Sequence, residues 1–153
     1  MAYLESLEAA AFPLGLVAAV LIFAAAVLHI YWAFGGRRGF YAAIPTDEGE
    51  FVFRPEPLGL FGVGLGLALA GLVLLVRIGI LGSTEPRLLF EWAIWLIAAV
   101  FLLRALGDFR YIGFTKKVWE TRFARLDTYL YSPLCLFVSF ASLAVALSPV
   151  TSA

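Results

Sequence analysis

Charged residues, cysteine and histidine are all scarce in this chain of 153 residues. Asp, Glu, Lys and Arg make up 14% of the sequence and hydrophobic residues 63%, whereas a soluble domain is about 25% charged. The 11 basic and 11 acidic residues cancel, so no positive excess is present for a nucleic-acid partner. The composition therefore excludes an ordinary soluble enzyme, a disordered chain and a nucleic-acid-binding protein.

The single cysteine and the single histidine limit the chemistry further. Cys135 lies in an apolar run and has no second cysteine with which to form a disulfide or a thiol redox pair. Because His29 is the only histidine, one chain cannot supply the two ligands of bis-histidine haem, and the usual set of zinc ligands is also incomplete. No G-x-S-x-G sequence is present to indicate a hydrolase. We therefore expect no metal and no cofactor, and no motif decides whether the protein is an enzyme.

Long apolar runs dominate the remainder of the sequence. A helix needs about 20 apolar residues to cross a bilayer, and four such runs occur. Each is apolar on every face, unlike the alternating strands of a membrane barrel. Pro13 suits a first helical turn and Gly35 a helix end, so we place the first helix between them. We predict a single all-α membrane domain over residues 1–153, a polytopic antiparallel bundle with helices at about 13–34, 58–80, 88–106 and 127–148.

The distribution of positive charge predicts the orientation. Nine of the 11 Lys and Arg residues lie in or beside residues 35–57 and 107–126, and only Arg77 and Arg87 lie on the other side. Cytoplasmic loops carry such an excess, so we expect these two loops in the cytoplasm and both termini outside. Glu5 and Glu8 precede the first helix without any Lys or Arg, which indicates an uncleaved anchor rather than a signal peptide.

Several polar side chains are predicted to meet at the cytoplasmic end of the bundle. His29 lies near the end of the first helix, Arg104 in the last turn of the third, and Asp127 at the start of the fourth. Histidine and carboxylate groups can act as general acid and base, and arginine can hold a phosphate or carboxylate head group. The candidate ligand-binding residues are His29, Trp32, Arg104, Asp108, Asp127 and Tyr131.

Each of these residues also has a structural interpretation. Asp127 is a good helix N-cap, Arg104 complements a helix C-terminus, and Tyr131 fits the interfacial aromatic belt. Two functions therefore stay open: a membrane protein that binds a small molecule or lipid head group, and a structural or accessory subunit of a larger complex. A binding site needs a cavity between these side chains, whereas a structural cluster needs them to satisfy one another.

At the opposite end, Arg77 and Glu91 are predicted to form a structural ion pair. The short connection between the second and third helices makes them antiparallel neighbours, and charges inside membrane spans usually pair. The alternative is an outward-facing polar site that includes Trp92 and Trp95, which also suit the aromatic belt.

Partners are predicted from two further patterns. The stripe Gly62, Gly66 and Ala70 allows close helix packing, either within the chain or in a homodimer. Residues 114–126 combine aromatic and basic side chains, which indicates an amphipathic segment on the membrane surface. Together with residues 35–57, in which we expect at most a short strand, this segment would cover the polar cluster. We expect membrane lipids as partners, and a homodimer or a larger membrane complex.

Four stretches of the chain carry a family resemblance. They are H-I-Y-W-A-F-G-G, A-I-P, L-R-A-L-G-D-F-R-Y-I-G-F and T-R-F-A-R-L-D-T-Y-L-Y-S-P-L-C, at residues 29–36, 43–45, 103–114 and 121–135. In combination they resemble a family of small bacterial inner-membrane proteins catalogued as a domain of unknown function. The resemblance implies a four-helix protein of the bacterial inner membrane, and it brings no activity, ligand or catalytic residue. In that membrane, the outer side that the charge distribution predicts for both termini is the periplasm.

Overall fold

The computed structural model describes residues 2–82 and 87–148, and of residues 2–8 the backbone alone. Within that part of the chain, four helical segments are long and apolar enough to cross a membrane: Ala9–Ala33, Pro57–Arg77, Arg87–Leu106 and Arg122–Leu147. The protein is an all-α polytopic membrane protein with an antiparallel helical bundle, as the sequence predicts.

Helix α1 (Ala2–Ala33) begins earlier than predicted. Pro13 lies inside this helix rather than in its first turn, so the prediction from its position was wrong. Membrane helices tolerate an interior proline because neighbouring groups and small backbone adjustments satisfy the carbonyl that it frees. The predicted end is confirmed: Gly35 follows the helix at φ 87°, a left-handed conformation that glycine adopts without steric cost.

The remaining spans are close to their predicted positions. Helix α2 (Pro57–Arg77) and helix α3 (Arg87–Leu106) each form one continuous helix. The fourth span is composite: a short helix α4 (Arg122–Leu126) continues through a π turn (Asp127–Tyr131) into helix α5 (Ser132–Leu147). It therefore starts five residues before the predicted boundary, at Arg122.

The packing order of the helices differs from their order in the sequence. Helix α1 packs against both α2 and α5, and α3 packs against α5. Helices α2 and α3 contact one another only slightly, so the expectation that they are close neighbours was wrong. The core combines fully buried branched side chains with small ones of α1: Ala18, Ala19, Ile22, Leu74, Ile94 and Val145.

Glycines of α2 bring this helix close to α1. A Cβ atom at Gly71 would lie 2.8 Å from the ring of Phe23, and Gly64 is similarly tight against α1. Gly62 and Gly66 face open space instead, because a Cβ atom at either position would have nothing within 4 Å. One face of small residues therefore serves packing within the chain, and a homodimer through the Gly62 face stays a prediction.

Two loops cover one end of the bundle, which we call the loop end. The first contains a 3-10 turn (Phe40–Ala42) and a two-stranded hairpin, β1 (Thr46–Asp47) with β2 (Glu50–Phe51). The second runs from residue 107 to residue 121 through bends and turns without a helix. Residues 114–121 of the predicted amphipathic segment therefore form no helix, and the position of that segment on the membrane surface stays a prediction. The opposite end, where α2 leads to α3, is the connection end.

Candidate functional site

A buried carboxylate, Asp127, organises the loop end. Its side chain is 0% exposed. Oδ1 accepts a hydrogen bond from Nη2 of Arg104 at 2.9 Å. Oδ2 accepts bonds from the backbone N–H of Gly113 at 2.7 Å, from Nζ of Lys116 at 3.1 Å and from the hydroxyl of Ser132 at 3.2 Å. Four donors, two of them cationic, thus compensate the desolvation that burial of a carboxylate requires.

Lys116 is the second buried charge of this cluster, with a side chain that is also 0% exposed. Besides Asp127, its ammonium group donates to the carbonyl of Gly113 at 2.9 Å and to the hydroxyl of Thr128 at 2.6 Å. All three ammonium hydrogens therefore have acceptors. The Nζ atom also lies 4.7 Å from the ring centroid of Trp119, within the range of a cation–π interaction.

The local backbone explains how Asp127 reaches these donors. Thr121, not Asp127, is the N-cap of the fourth span, because its hydroxyl accepts the N–H of Ala124 at 3.0 Å. The predicted N-cap role of Asp127 was therefore wrong, and its carboxylate is available for side-chain donors. The π turn then places the N–H of Ser132 on the carbonyl of Asp127. The hydroxyl of Ser132 thereby reaches the carboxylate of Asp127, five residues earlier. In a regular α-helix, residue 131 would occupy that position instead.

Arg104 binds Asp127 as the predicted cluster requires, and one of its nitrogen atoms makes no hydrogen bond with the described residues. Its side chain is 34% exposed. Nη2 is engaged by Asp127, whereas Nη1 is buried and has no hydrogen-bond partner among the described residues.

His29 and Trp32 form a separate pair on α1. Nδ1 of His29 lies 2.8 Å from the carbonyl of Ala25, and the ring centroids of His29 and Trp32 are 5.2 Å apart. The indole N–H of Trp32 donates to the carbonyl of Arg38 at 2.9 Å. Within the described part of the chain, the hydrogen bonds and ring contacts of His29 involve α1 alone, so they do not connect it to Asp127.

Tyr131 and Asp108 each fix a loop. The hydroxyl of Tyr131 donates to the carbonyl of Ala42 at 3.4 Å, which ties the fourth span to the 3-10 turn. Oδ1 of Asp108 accepts three backbone N–H groups, those of Arg110, Tyr111 and Ile112, at 2.7–2.9 Å. Partial burial raises the pKa of Asp108, but these donors outweigh it and hold the pKa below its usual range.

The two loops are joined to one another by Asp47. Its Oδ2 accepts the hydroxyl of Tyr111 at 2.9 Å and lies 3.9 Å from Nη2 of Arg110. The hydrogen bond to Asp47 raises the pKa of the Tyr111 phenol, because the carboxylate stabilises the protonated form. Residues 34–56 and 107–121 thus form one connected cap over the bundle.

At the connection end, Arg77 and Glu91 do not form the predicted direct ion pair. Nε of Arg87 binds Oε1 of Glu91 at 2.7 Å, one turn along α3. Nη2 of Arg77 donates to the carbonyl of Val145 on α5 at 3.1 Å. The cause is the helix order: because α2 packs against α1 rather than α3, the Arg77 side chain enters the bundle, and Glu91 acts on it only through space.

An open groove of about 350 Å³ lies on the outer face of the first turns of α3. It is lined by Leu88, Glu91, Trp92 and Trp95, so it is far from the candidate residues at the loop end. Within the described residues, no group of three or more His, Cys, Asp or Glu side chains is placed to hold a metal ion.

Sequence reasoning missed three members of the cluster around Asp127. The sequence places Lys116 only among the positive charges of the second loop, and no pattern singles out Gly113 or Ser132. Thr121 carries a usable signal, since a threonine just before a helical pattern is typical of an N-cap. Once Thr121 is the cap, Asp127 lies inside a helix and needs buried donors, which the nearby lysine can supply.

The fold and the cluster define a small polytopic helical membrane protein with a buried ionic network at one end. A family model described as "Protein of unknown function (DUF3995)" matches residues 11–142. Because the match covers most of the chain, the chain belongs to this family, in agreement with the resemblance seen in the sequence. No curated protein and no solved structure matches it.

Proposed function

We propose that this protein is a structural or accessory subunit of a larger membrane assembly, and that its loop-end cluster stabilises the fold. The observation that carries this proposal is the closed bonding of Asp127, which is 0% exposed and has four donors. A substrate site needs polar groups that are free to meet a ligand. The carboxylate and the Lys116 ammonium group have no such freedom.

The cap is the surface that we propose for contact with the partner subunit. It is held in one shape by the bonds of Tyr111 to Asp47 and of Tyr131 to Ala42. It exposes large aromatic side chains, with Phe109 at 65% and Trp119 at 50%, beside the basic residues of residues 107–126. Aromatic and arginine side chains are enriched in protein interfaces. In this proposal the cap faces the cytoplasm, which the positive charge of these loops supports.

Photocrosslinking in intact cells tests the accessory role. A benzophenone amino acid replaces Trp119 in the cap and, as the control, Leu103, which is 65% exposed on the apolar surface of α3. We expect a discrete protein adduct from position 119 that is absent from position 103. The Tyr111→Phe variant, which removes the hydrogen bond between the two loops, should weaken that adduct. A monomeric protein in native mass spectrometry that retains a small molecule, with no adduct at position 119, would contradict the proposal.

A lipid head group at Arg104 is the second candidate function. One observation favours it: the buried Nη1 atom has no partner among the described residues, while the side chain is 34% exposed. Such a donor suits a phosphate oxygen of a lipid in the adjacent leaflet. Native mass spectrometry should then show an anionic phospholipid that Arg104→Gln loses and that Arg125→Gln, a change at an exposed arginine, keeps. His29→Ala should leave retention unchanged, and loss of the lipid in that variant would point to a site at α1.

A further inference from the structure

The guanidinium group of Arg77 is the least compensated charge in the described part of the bundle. This residue is only 4% exposed. Nη2 donates to Val145, but Nε and Nη1 are buried and have no hydrogen-bond partner among the described residues. The hydroxyl of Ser142, one turn before Val145 on α5, is also buried without a partner. Native structures rarely leave such groups unsatisfied, and each one calls for an explanation.

Among the side chains that the structure describes, the surrounding charges do not neutralise Arg77. Three helices surround Arg77, and residues 9–33, 57–77 and 132–147 of them contain no acidic residue. Glu5 and Glu8 belong to the first turns of α1, before these ranges. From α3, Glu91 and Arg87 both act on Arg77, but they bind one another at 2.7 Å, so the sum of the three charges is still +1. The carbonyl of Val145 belongs to the last turn of α5 and contributes a partial negative charge of about half a unit at most.

The carbonyls that end α2 are already occupied. Leu74 accepts the N–H of Ile78, and Leu75 accepts the N–H of Ile80. They therefore offer little further compensation to the guanidinium group. A charge in this position is costly in the apolar interior of a membrane protein, and ionisable residues that persist there usually have a function.

The geometry of a guanidinium group indicates the kind of partner. Nε and Nη2 each direct one N–H along one edge of the plane, and Nη1 and Nη2 do so along the other edge. Nη2 uses one hydrogen for Val145. Whichever hydrogen that is, one complete two-donor edge stays free. Such an edge matches the two oxygens of a carboxylate or phosphate group and gives a bidentate bond.

We propose that Arg77 is a buried oxyanion site, which binds the carboxylate or phosphate group of a ligand between α1, α2 and α5 at the connection end, beside Ser142. The ligand enters between α2 and α3, which contact one another far less than α1 contacts α2 or α3 contacts α5. This site is independent of the cap and of Arg104, which lie at the other end of the bundle.

Two probes distinguish a lipid from a soluble anion. Delipidated protein in neutral detergent is titrated with inorganic phosphate, and in parallel with phosphatidylglycerol in mixed micelles. Binding is followed by native mass spectrometry and by the thermal midpoint of tryptophan fluorescence. Saturable binding of one equivalent of either probe, with a rise in the midpoint, supports the proposal and identifies the source of the oxyanion. Binding of neither probe would overturn it.

Variants assign the binding to Arg77. Arg77→Gln should abolish it, and Arg77→Lys, which keeps the charge but not the two-donor edge, should weaken it by about ten-fold or more. Arg125→Gln removes an exposed arginine of α4 at the loop end, away from Arg77, and should change affinity by no more than about two-fold. Unchanged binding in Arg77→Lys would overturn a bidentate site. If Arg77→Gln does not fold, the Arg77→Lys and Ser142→Ala variants test the proposal instead. Because the Ser142 hydroxyl has no hydrogen-bond partner among the described residues, Ser142→Ala breaks no bond there. That variant should therefore fold and bind the probe more weakly.

A carboxylate of this chain is the competing explanation. Three further acidic residues are candidates. Glu5 and Glu8 belong to the first turns of α1, and Glu85 lies between α2 and α3 in the sequence. The variant with all three changed to Gln is combined with Arg77→Gln in a double-mutant cycle on the thermal midpoint. Additive effects support a bound oxyanion. Strong coupling, with no binding of either probe, would show that the chain neutralises Arg77 itself.

Discussion

Asp127 and Lys116 show how a bundle in lipid can hold two buried charges. Removal of an ion from water costs several kcal/mol, and the attraction of an opposite charge offsets this only when the remaining hydrogen-bonding groups are also satisfied. Here every ammonium hydrogen of Lys116 has an acceptor and both carboxylate oxygens have donors. The pair therefore contributes to the specific position of the loop, because a displacement of the loop would break these bonds and leave buried charges unsatisfied.

Breaking this pair on one side should be more harmful than removing both partners. Asp127→Leu should lower the free energy of unfolding by about 3–5 kcal/mol, because it leaves Lys116 buried without an anion. Lys116→Met should act in the same way, and the double variant should lose less than the sum of the two. Thermal unfolding in detergent, followed by tryptophan fluorescence, measures this. Arg104→Gln is the control with a smaller loss, since that side chain is 34% exposed. Additive single effects would contradict the pair.

Asp108 should make the stability of the protein depend on pH in the acid range. Its pKa is lowered in the folded state by three backbone donors that outweigh partial burial. Its contribution is thus present above about pH 3.9, the usual pKa of an aspartate, and is lost as the pH falls through the lower folded value. Because the side chain is mostly exposed, Asp108→Asn should cost less than about 1 kcal/mol at neutral pH. The free energies of unfolding of the two proteins, measured from pH 7 downward, should differ at neutral pH and approach one another as the pH falls below about 3.9.

The loop after α3 requires that the backbones at Gly107 and Gly113 approach one another closely. Gly107 has φ 94° and Gly113 has φ 83°. A Cβ atom at Gly107 would collide with the carbonyl oxygen of Ile112, and one at Gly113 with the carbonyl oxygen of Leu106. The chain can therefore cross itself here only with glycine at both positions. This crossing brings the N–H of Gly113 to Asp127.

Gly107→Ala should destabilise the protein more than Gly35→Ala. Both positions are left-handed, at φ 94° and 87°, which costs about 1–2 kcal/mol for an alanine. Only Gly107 adds a collision with backbone, because nothing lies within 4 Å of a Cβ at Gly35. Hydrogen exchange should also show loss of protection at the Gly113 amide in Gly107→Ala alone. Equal losses of stability in the two variants would contradict the crossing.

The orientation of the whole molecule in the membrane follows from its charge. Nine of 11 Lys and Arg residues lie at the loop end, so we expect that end in the cytoplasm. In a background of Cys135→Ala, single cysteines at Glu5, Glu50, Thr84 and Val118 test this. A membrane-impermeant maleimide should label positions 5 and 84 in intact cells, and positions 50 and 118 only after permeabilisation. Labelling of position 50 in intact cells would reverse the topology.

The helices and the ion-rich end could be predicted from the sequence because both are local properties. Apolar runs of sufficient length must be helical in lipid, and the observed spans agree with the predicted ones to within a few residues except at the start of α1 and of the fourth span. The pairing of Arg104 with Asp127 also follows from depth alone: one residue ends a helix, the other lies near the start of the next, and burial favours their contact.

The neighbours of each helix were decided only by the tertiary structure. Local pattern does not reveal that α1 lies between α2 and α5, because contacts between distant helices depend on which small residues allow close approach. That order turned Arg77 away from Glu91 and into the bundle. Likewise, the crossing at Gly107 carried Lys116 inward, and the π turn brought Ser132 to Asp127. The sequence by itself determined the spans and the side of the positive charge. Which polar groups meet was decided by non-local packing, since burial makes each unpaired group costly.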